Sequence, residues 1–258
     1  MTMRRYAIAA VVIFATAALQ AATTYRVTTI VRGRLKQIPS VERVIADGDN
    51  RRLTIEQQDE PFTHDVLLSA DGGKTITALN TPLRTWFDFT VLGSPSRLKP
   101  RRAAEIKDPK VTVSEESGNE PILGFPVRKF VVRASFTSQE NYGGTKVKRE
   151  NAMTKLVWTT DKIDATLAFP AGVFVTGVGS IDAELRQKTA AIISGFPLRE
   201  VTTFSQAYEG GAPSVETITT EVDDIRTVPS PPVTQFAKPA GYVNQPPIIS
   251  GAPVVISH

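Results

Sequence analysis

The 258-residue chain contains no cysteine, which excludes disulfide staples, thiolate metal sites and thiol nucleophiles together. Histidine is almost as scarce. Only His64 and the terminal His258 occur, so a two-histidine metal site would need the C-terminus to fold back. No serine sits in a Gly-x-Ser-x-Gly elbow, which leaves no recognisable nucleophile arrangement. A dominant charge is also missing. The formal charge is +4, and loss of Arg4 and Arg5 with a leader would lower it by two, so no nucleic-acid partner is expected. The acidic pairs Glu115 with Glu116 and Asp223 with Asp224 are adjacent in sequence. Neighbours on a strand point to opposite faces, which disfavours a paired acid and base. The expectation is a non-enzymatic protein with no catalytic residues, no cofactor and no metal.

Long apolar runs are absent except at the start, where MTMRR precedes YAIAAVVIFATAAL and small residues follow at Ala21 and Ala22. That order reads as a signal peptide over residues 1–21, too short in its apolar part to span a bilayer comfortably. An uncleaved N-terminal anchor is the alternative. Ala22 stands where lipidation would need a cysteine, so a soluble periplasmic or secreted protein is expected. Without staples, stability must come from packing, and a chain of this length buries about 70–75% of its unfolded surface.

What is present is period-two patterning. YRVTTIVRG alternates Tyr25, Val27, Thr29 and Val31 with Arg26, Thr28, Ile30 and Arg32, as a strand with one wetter face does. Apolar runs flank DGDN at 47–50 and DGG at 71–73, predicting two hairpins. RTWFDFTVL is a further strand. From Gly93 to Lys110, three prolines and the basic residues Arg97, Lys99, Arg101, Arg102, Lys107 and Lys110 predict a loop that can touch a membrane surface. PVRKFVVRASF places Phe130, Val132, Ala134 and Phe136 on one face. A glycine turn then returns the chain through KRENAMTKLVWTTD. One helix is expected, with Ser180 as N-cap and Ile181, Leu185 and Ile192 on its buried stripe, ending at Gly195.

Two segments open alike: GFPVRKF at 124–130 and GFPLREV at 195–201. Glycine supplies a positive-φ residue and proline fixes the entry into a strand, so both copies read as strand starts. SADGGKT fits an Asp-box hairpin turn, but it occurs once and without the repeats of a propeller. DGDN offers calcium-type oxygens without the later glutamate of a helix-loop-helix site, and reads as a solvated turn. IDATLAFPAGVFVTGVGSI at 163–181 is mainly apolar but broken by Pro170 and glycines. It is either core crossing the sheet or a lid over a hydrophobic pocket.

The order of a meander, GFPVRKFVV, WTTDKID, a helix, GFPLREVTT, EVDDI and FAKPAGY resembles an exported bacterial domain-of-unknown-function family of the LolA/LppX-like lipoprotein-carrier superfamily. That resemblance implies a mainly β (α+β) fold: a strongly curved antiparallel sheet forming an incomplete barrel, with one principal helix packed on its concave side. It covers a LolA-like half-barrel domain at 22–243, followed by a flexible proline-rich tail at 244–258. By analogy with the superfamily, it implies binding of a lipid, acyl chain or lipoprotein. Trp86, Phe87, Trp158, Phe169 and Phe174 are the residues expected near such a hydrophobic pocket. A structural or protein-interaction module of the cell envelope is the alternative.

Overall fold

The computed structural model describes residues 21–33, 39–58, 64–90, 98, 100, 104–117, 120–169 and 176–245. Six strands come first: β1 (Ala21–Arg32), β2 (Ser40–Asp47), β3 (Asn50–Gln57), β4 (Val66–Ser69), β5 (Thr75–Asn80) and β6 (Thr85–Thr90). β7 (Ala104–Glu116), β8 (Arg128–Tyr142) and β9 (Thr145–Thr160) precede α1 (Gly179–Ile192). β10 (Phe196–Tyr208), β11 (Ser214–Pro229) and the short β12 (Val243–Asn244) follow it. All twelve strands join one sheet in the order β12-β6-β5-β4-β3-β2-β1-β11-β10-β9-β8-β7, not closed into a barrel. Two meanders are thus sewn together by the antiparallel β1–β11 pair. Only β12 runs parallel to its neighbour.

The connection from β6 to β7 must travel between opposite sides of this sheet. Ten strand spacings in a flat sheet amount to about 48 Å. The fourteen residue-to-residue steps from Thr90 to Ala104 reach about 46–50 Å only when fully extended. Curling the sheet brings its ends together and relieves that demand. Leu98, midway along the connection, is fully buried in the core beneath α1.

Alternation decides which side chains enter that core. On β8, Phe130, Val132, Ala134 and Phe136 are all buried, as the sequence pattern predicts. With Val111, Met153, Ile181 and Leu185 they pack α1 against β7–β9, the inner face of the curl. A second core on the same face gathers Tyr25, Val44, Leu53, Phe196, Leu198 and Val222. Both repeated Gly-Phe-Pro openings feed it: Phe196 is its buried centre and Phe125 packs at its margin. Gly195 has φ +90°, and a Cβ there would lie 2.9 Å from the Thr160 carbonyl oxygen, so glycine is required.

Three sequence expectations need correction. The second half of the 93–110 loop is strand: β7 begins at Ala104, and Lys107 and Lys110 lie on it. An edge strand tolerates Pro109, and a register shift between Lys107 and Lys110, with Asp108 at φ +52°, absorbs it. Arg97, Lys99, Arg101 and Arg102 lie outside the described residues. Second, Ser180 is not the N-cap. The helix starts at Gly179 behind Val178, and Asp182 reaches back instead, accepting from the backbone N–H of Thr176 (2.6 Å) and of Gly177 (3.1 Å). Third, Ile192 is exposed, and Ile193 packs on the core in its place. One irregularity also cuts across the β1 pattern. A bulge between Thr24 and Arg26 lets consecutive Thr24 and Tyr25 both be buried.

Of the leader expected over residues 1–21, residues 1–20 lie outside the described part, and Ala21 is the first residue of β1. Beyond β11 the chain crosses the outer face. Phe236 is buried, the Arg52 guanidinium donates to the Gln235 carbonyl, and Tyr242 joins Trp86 against Val66, Leu68 and Leu79. β12 then pairs with the β6 edge, and the Gln245 N–H donates to the Trp86 carbonyl. Truncation after Gln245 is expected to leave the thermal midpoint unchanged. Truncation after Pro229 should cost about 3 kcal/mol or more in urea unfolding, because it strips apolar cover from that outer core. Equal stability of the two truncations would show that the segment contributes no packing.

Candidate functional site

Following the pairing inward from α1 locates the least covered part of the inner face. Ala134 opposes Met153, Met153 opposes Phe204, and Phe204 opposes Glu216 across β8 to β11. Ala134 and Met153 are buried under α1, whereas Phe204 and Glu216 are half-buried. Half-buried positions continue through Thr202 and Gln206 on β10, Ile218 and Thr220 on β11, and Thr29 and Val31 on β1. Between the two cores there is thus a strip of mixed apolar and polar side chains. At its β10–β11 end a cleft of about 260 Å³ is lined by Phe204, Gln206, Ser214 and Glu216.

The walls of this strip hold charge. Lys155, almost fully buried, pairs with Glu200 at 2.8 Å. Burial pushes the lysine below its ordinary pKa, opposed by the Glu200 carboxylate. Arg149 pairs with Glu140 at 2.8 Å, with both side chains buried. Between them Asn151 donates through Nδ2 to Ser138 Oγ (3.1 Å) and to the Arg149 carbonyl (3.1 Å), and its Oδ1 accepts from Gln206 Nε2 (3.2 Å). On β2, burial raises the pKa of Glu42, while a hydrogen bond from Ser40 Oγ works the other way.

The five aromatic residues singled out in the sequence do not meet at one place. Trp86 packs in the outer core under the C-terminal segment, with the Lys238 ammonium 3.1 Å from its ring centroid. Phe87, the next residue, points to the other face and stands edge-on to His64. Trp158 lies opposite the buried row of β9, between Lys129 at 5.5 Å and the Arg199 guanidinium at 5.3 Å. Phe169 packs on the second core, where its N–H donates to Tyr25 Oη at 2.6 Å. Phe174 lies outside the described residues. The cleft residues were passed over because Thr, Gln, Ser and Glu in LREVTTFSQAY and SVETITTEV look like solvent-facing strand positions. Only the pairing of β10 with β11 reveals that they share the inner face.

The apolar 163–181 segment is anchored at both described ends. Tyr25 Oη donates to the Leu167 carbonyl (3.1 Å), and the fully buried Arg51 guanidinium donates to the Thr166 carbonyl. Asp182 holds Thr176. The Asp-box stretch is a turn: Ser69 Oγ donates to Asp71, and Asp71 accepts from the Thr75 N–H, chiefly for which its pKa falls to about 2. Among the described residues no three or more of His, Asp and Glu gather where they could hold a metal ion. No helix among them is long and apolar enough to cross a membrane.

No protein-family model matches the chain, and a search of curated proteins finds no match. Among solved structures it is similar to a LolA superfamily protein from Nitrosomonas europaea, at 11% identity and TM-score 0.33, over 85% of this chain and 91% of that one. A domain from Vibrio parahaemolyticus, described as an outer membrane lipoprotein-sorting protein, has 8% identity and TM-score 0.35 over 84% and 89%. Similarity at this level transfers neither ligand nor partner to this chain.

The Lys155–Glu200 pair makes a direct test of the buried charge. Glu200→Gln should lower stability by about 3 kcal/mol in urea unfolding, since it removes a carboxylate beside a desolvated ammonium. A folded-state pKa below the unfolded one means the unfolded chain binds more protons in between. Stability of the variant should therefore rise with pH toward the ordinary lysine range. A flat profile would show that water reaches the ammonium.

Proposed function

We propose that this protein is an exported, non-enzymatic carrier or binding protein that holds the apolar part of a lipid or other amphiphile against the inner face of its curved sheet. The observation that carries this reading is the strip over β10, β11 and β1. It lies between two packed cores, is left half-exposed, and contains Phe204, Ile218 and Val31 beside a cleft. An open sheet that covers only part of its concave face leaves apolar area for a guest to bury, at roughly 25 cal/mol per Å². The cleft presents a carboxylate, an amide, a hydroxyl and an aromatic ring, a set suited to holding a guest rather than to transforming it. Residues 1–21 would direct the chain to the periplasm or out of the cell, in keeping with a ligand that must cross water between membranes.

The alternative, a module that docks partners along its sheet edges, has less in its favour. β12 occupies part of the β6 edge. On the other edge the register shift and Pro109 interrupt β7, and the Lys188 ammonium donates to the Val111 carbonyl at 2.8 Å. These are the devices that blunt strand addition.

Delipidated mature protein should give saturable fluorescence enhancement with the neutral apolar probe N-phenyl-1-naphthylamine. Ile218→Asp should weaken that binding by about tenfold through the cost of burying a charge against the probe, with little change in the thermal midpoint at a half-exposed position. Wild-type protein that shows no saturable enhancement would sink the carrier reading.

A further inference from the structure

A line of polar side chains crosses the half-exposed strip at one level. Glu200 opposes Thr220, Thr220 opposes Thr29, and Thr29 opposes Ser40, so β10, β11, β1 and β2 each place a polar residue in the same row of the inner face. In the next row toward the cleft stand Thr202, Ile218 and Val31; in the next row away from it stand Val222 and Val27 of the second core. The two ends of the polar row are satisfied within the chain. Glu200 pairs with Lys155 at 2.8 Å, and Ser40 Oγ donates to Glu42 at 3.2 Å. The middle keeps capacity. Thr29 Oγ1 and Thr220 Oγ1 lie 3.2 Å apart and share one hydrogen bond. Two hydroxyls carry two donors and four lone pairs, so that bond leaves one donor and three lone pairs. Both residues are half-buried, on the part of the face that a guest covers. An alkyl chain laid across them takes these groups out of water and gives them no partner. A carbonyl satisfies only the donor and an ammonium only the lone pairs, whereas a hydroxyl, which donates and accepts, satisfies both.

From this geometry we infer that the Thr29–Thr220 pair is a subsite for the hydroxyl group of an amphiphile whose alkyl chain lies over Val31 and Ile218. The inference rests on the carrier reading and adds the chemistry of the guest's polar end and the direction of its chain. Beyond the polar row Val222 and Leu198 are buried in the second core, which closes that side to the chain. On the other side the floor of β11 runs from Thr220 to Ser214, where it is half-buried or exposed throughout, a length of about 20 Å. The hydroxyl therefore sits innermost and the chain points to the cleft.

Displacement of N-phenyl-1-naphthylamine from the delipidated mature chain tests this with 1-decanol and 1-chlorodecane, which share one chain and differ in the hydroxyl. Thr29→Val combined with Thr220→Val replaces both protein hydroxyls by methyl groups on β-branched residues that strands accept. In this double variant the dissociation constant of decanol, taken relative to that of chlorodecane, should rise about tenfold, the loss expected when a buried hydroxyl loses its hydrogen-bond partners. An unchanged ratio overturns the subsite and leaves the carrier reading standing. Failure of 1-decanol to displace the probe from wild-type protein does the same. Wild-type protein that binds no probe at all overturns the carrier reading, and the subsite with it. If the double variant does not fold, as judged by circular dichroism, threonine-methyl NMR of the wild-type protein takes its place. The Thr29 and Thr220 methyl signals should then shift more with 1-decanol than with 1-chlorodecane, and equal shifts overturn the subsite.

Discussion

The chain leaves the sheet at β6 and re-enters it at β7, close to its two opposite edges, with thirteen residues, 91–103, to make the journey. A flat sheet would demand a taut connection, so the sheet curls and one face becomes an interior. Much of the remaining structure follows from that return. Leu98, between the two edges in sequence, lies in the α1 core. α1 covers β7–β9, and the turn at Ala165–Leu167 is tied down by Tyr25 and Arg51 at the second core. Between the two plugs, the described residues of β10, β11 and β1 keep a half-buried strip at Thr202 to Gln206, Glu216 to Thr220 and Thr29 to Val31.

Charges buried beside such a strip would be a poor route to stability alone. Two ions taken from water recover the desolvation cost only with good geometry and further hydrogen bonds. Lys155 with Glu200 and Arg149 with Glu140 approach to 2.8 Å each. They fix side chains on β8, β9 and β10 in one arrangement. Through Asn151 that arrangement extends to Gln206 at the cleft. The polar wall thus holds the Gln206 amide by a hydrogen bond, which an apolar wall of the same volume could not do.

Much of the fold was legible from local signals. DGDN and SADGG name their hairpins, Phe130 to Phe136 name a buried row, and Gly195 with Pro197 names the join between helix and strand. Each depends on a few adjacent residues. The β7 start was hidden because Pro109 and four charged residues at 105–110 look like a loop until one knows that the strand lies on an edge. The helix start was hidden for a similar reason: no side chain caps the first turn, and Asp182, inside the helix, instead holds the preceding backbone at Thr176 and Gly177. The site was least legible of all. Its four lining residues come from two strands whose register no local pattern fixes.

Aromatic content misdirects the search for a pocket in a protein of this kind. Trp86 and Trp158 are the largest side chains available, yet both lie on the outer face, where the surrounding chain accounts for them. Trp86 is roofed by the C-terminal segment and Lys238. Trp158 sits between Lys129 and Arg199, whose carboxylate partners Glu116 and Glu221 extend the row across β7 to β11. An indole between two such cations has its faces occupied by an intramolecular partner and has little left to offer a ligand. Phe204 differs in kind. It touches the α1 core on one side and opens to the cleft on the other, so its ring is held in place by packing while part of it stays accessible. In a half-covered sheet, the residue to look for is the one at the boundary of the core, where rigidity and access coincide.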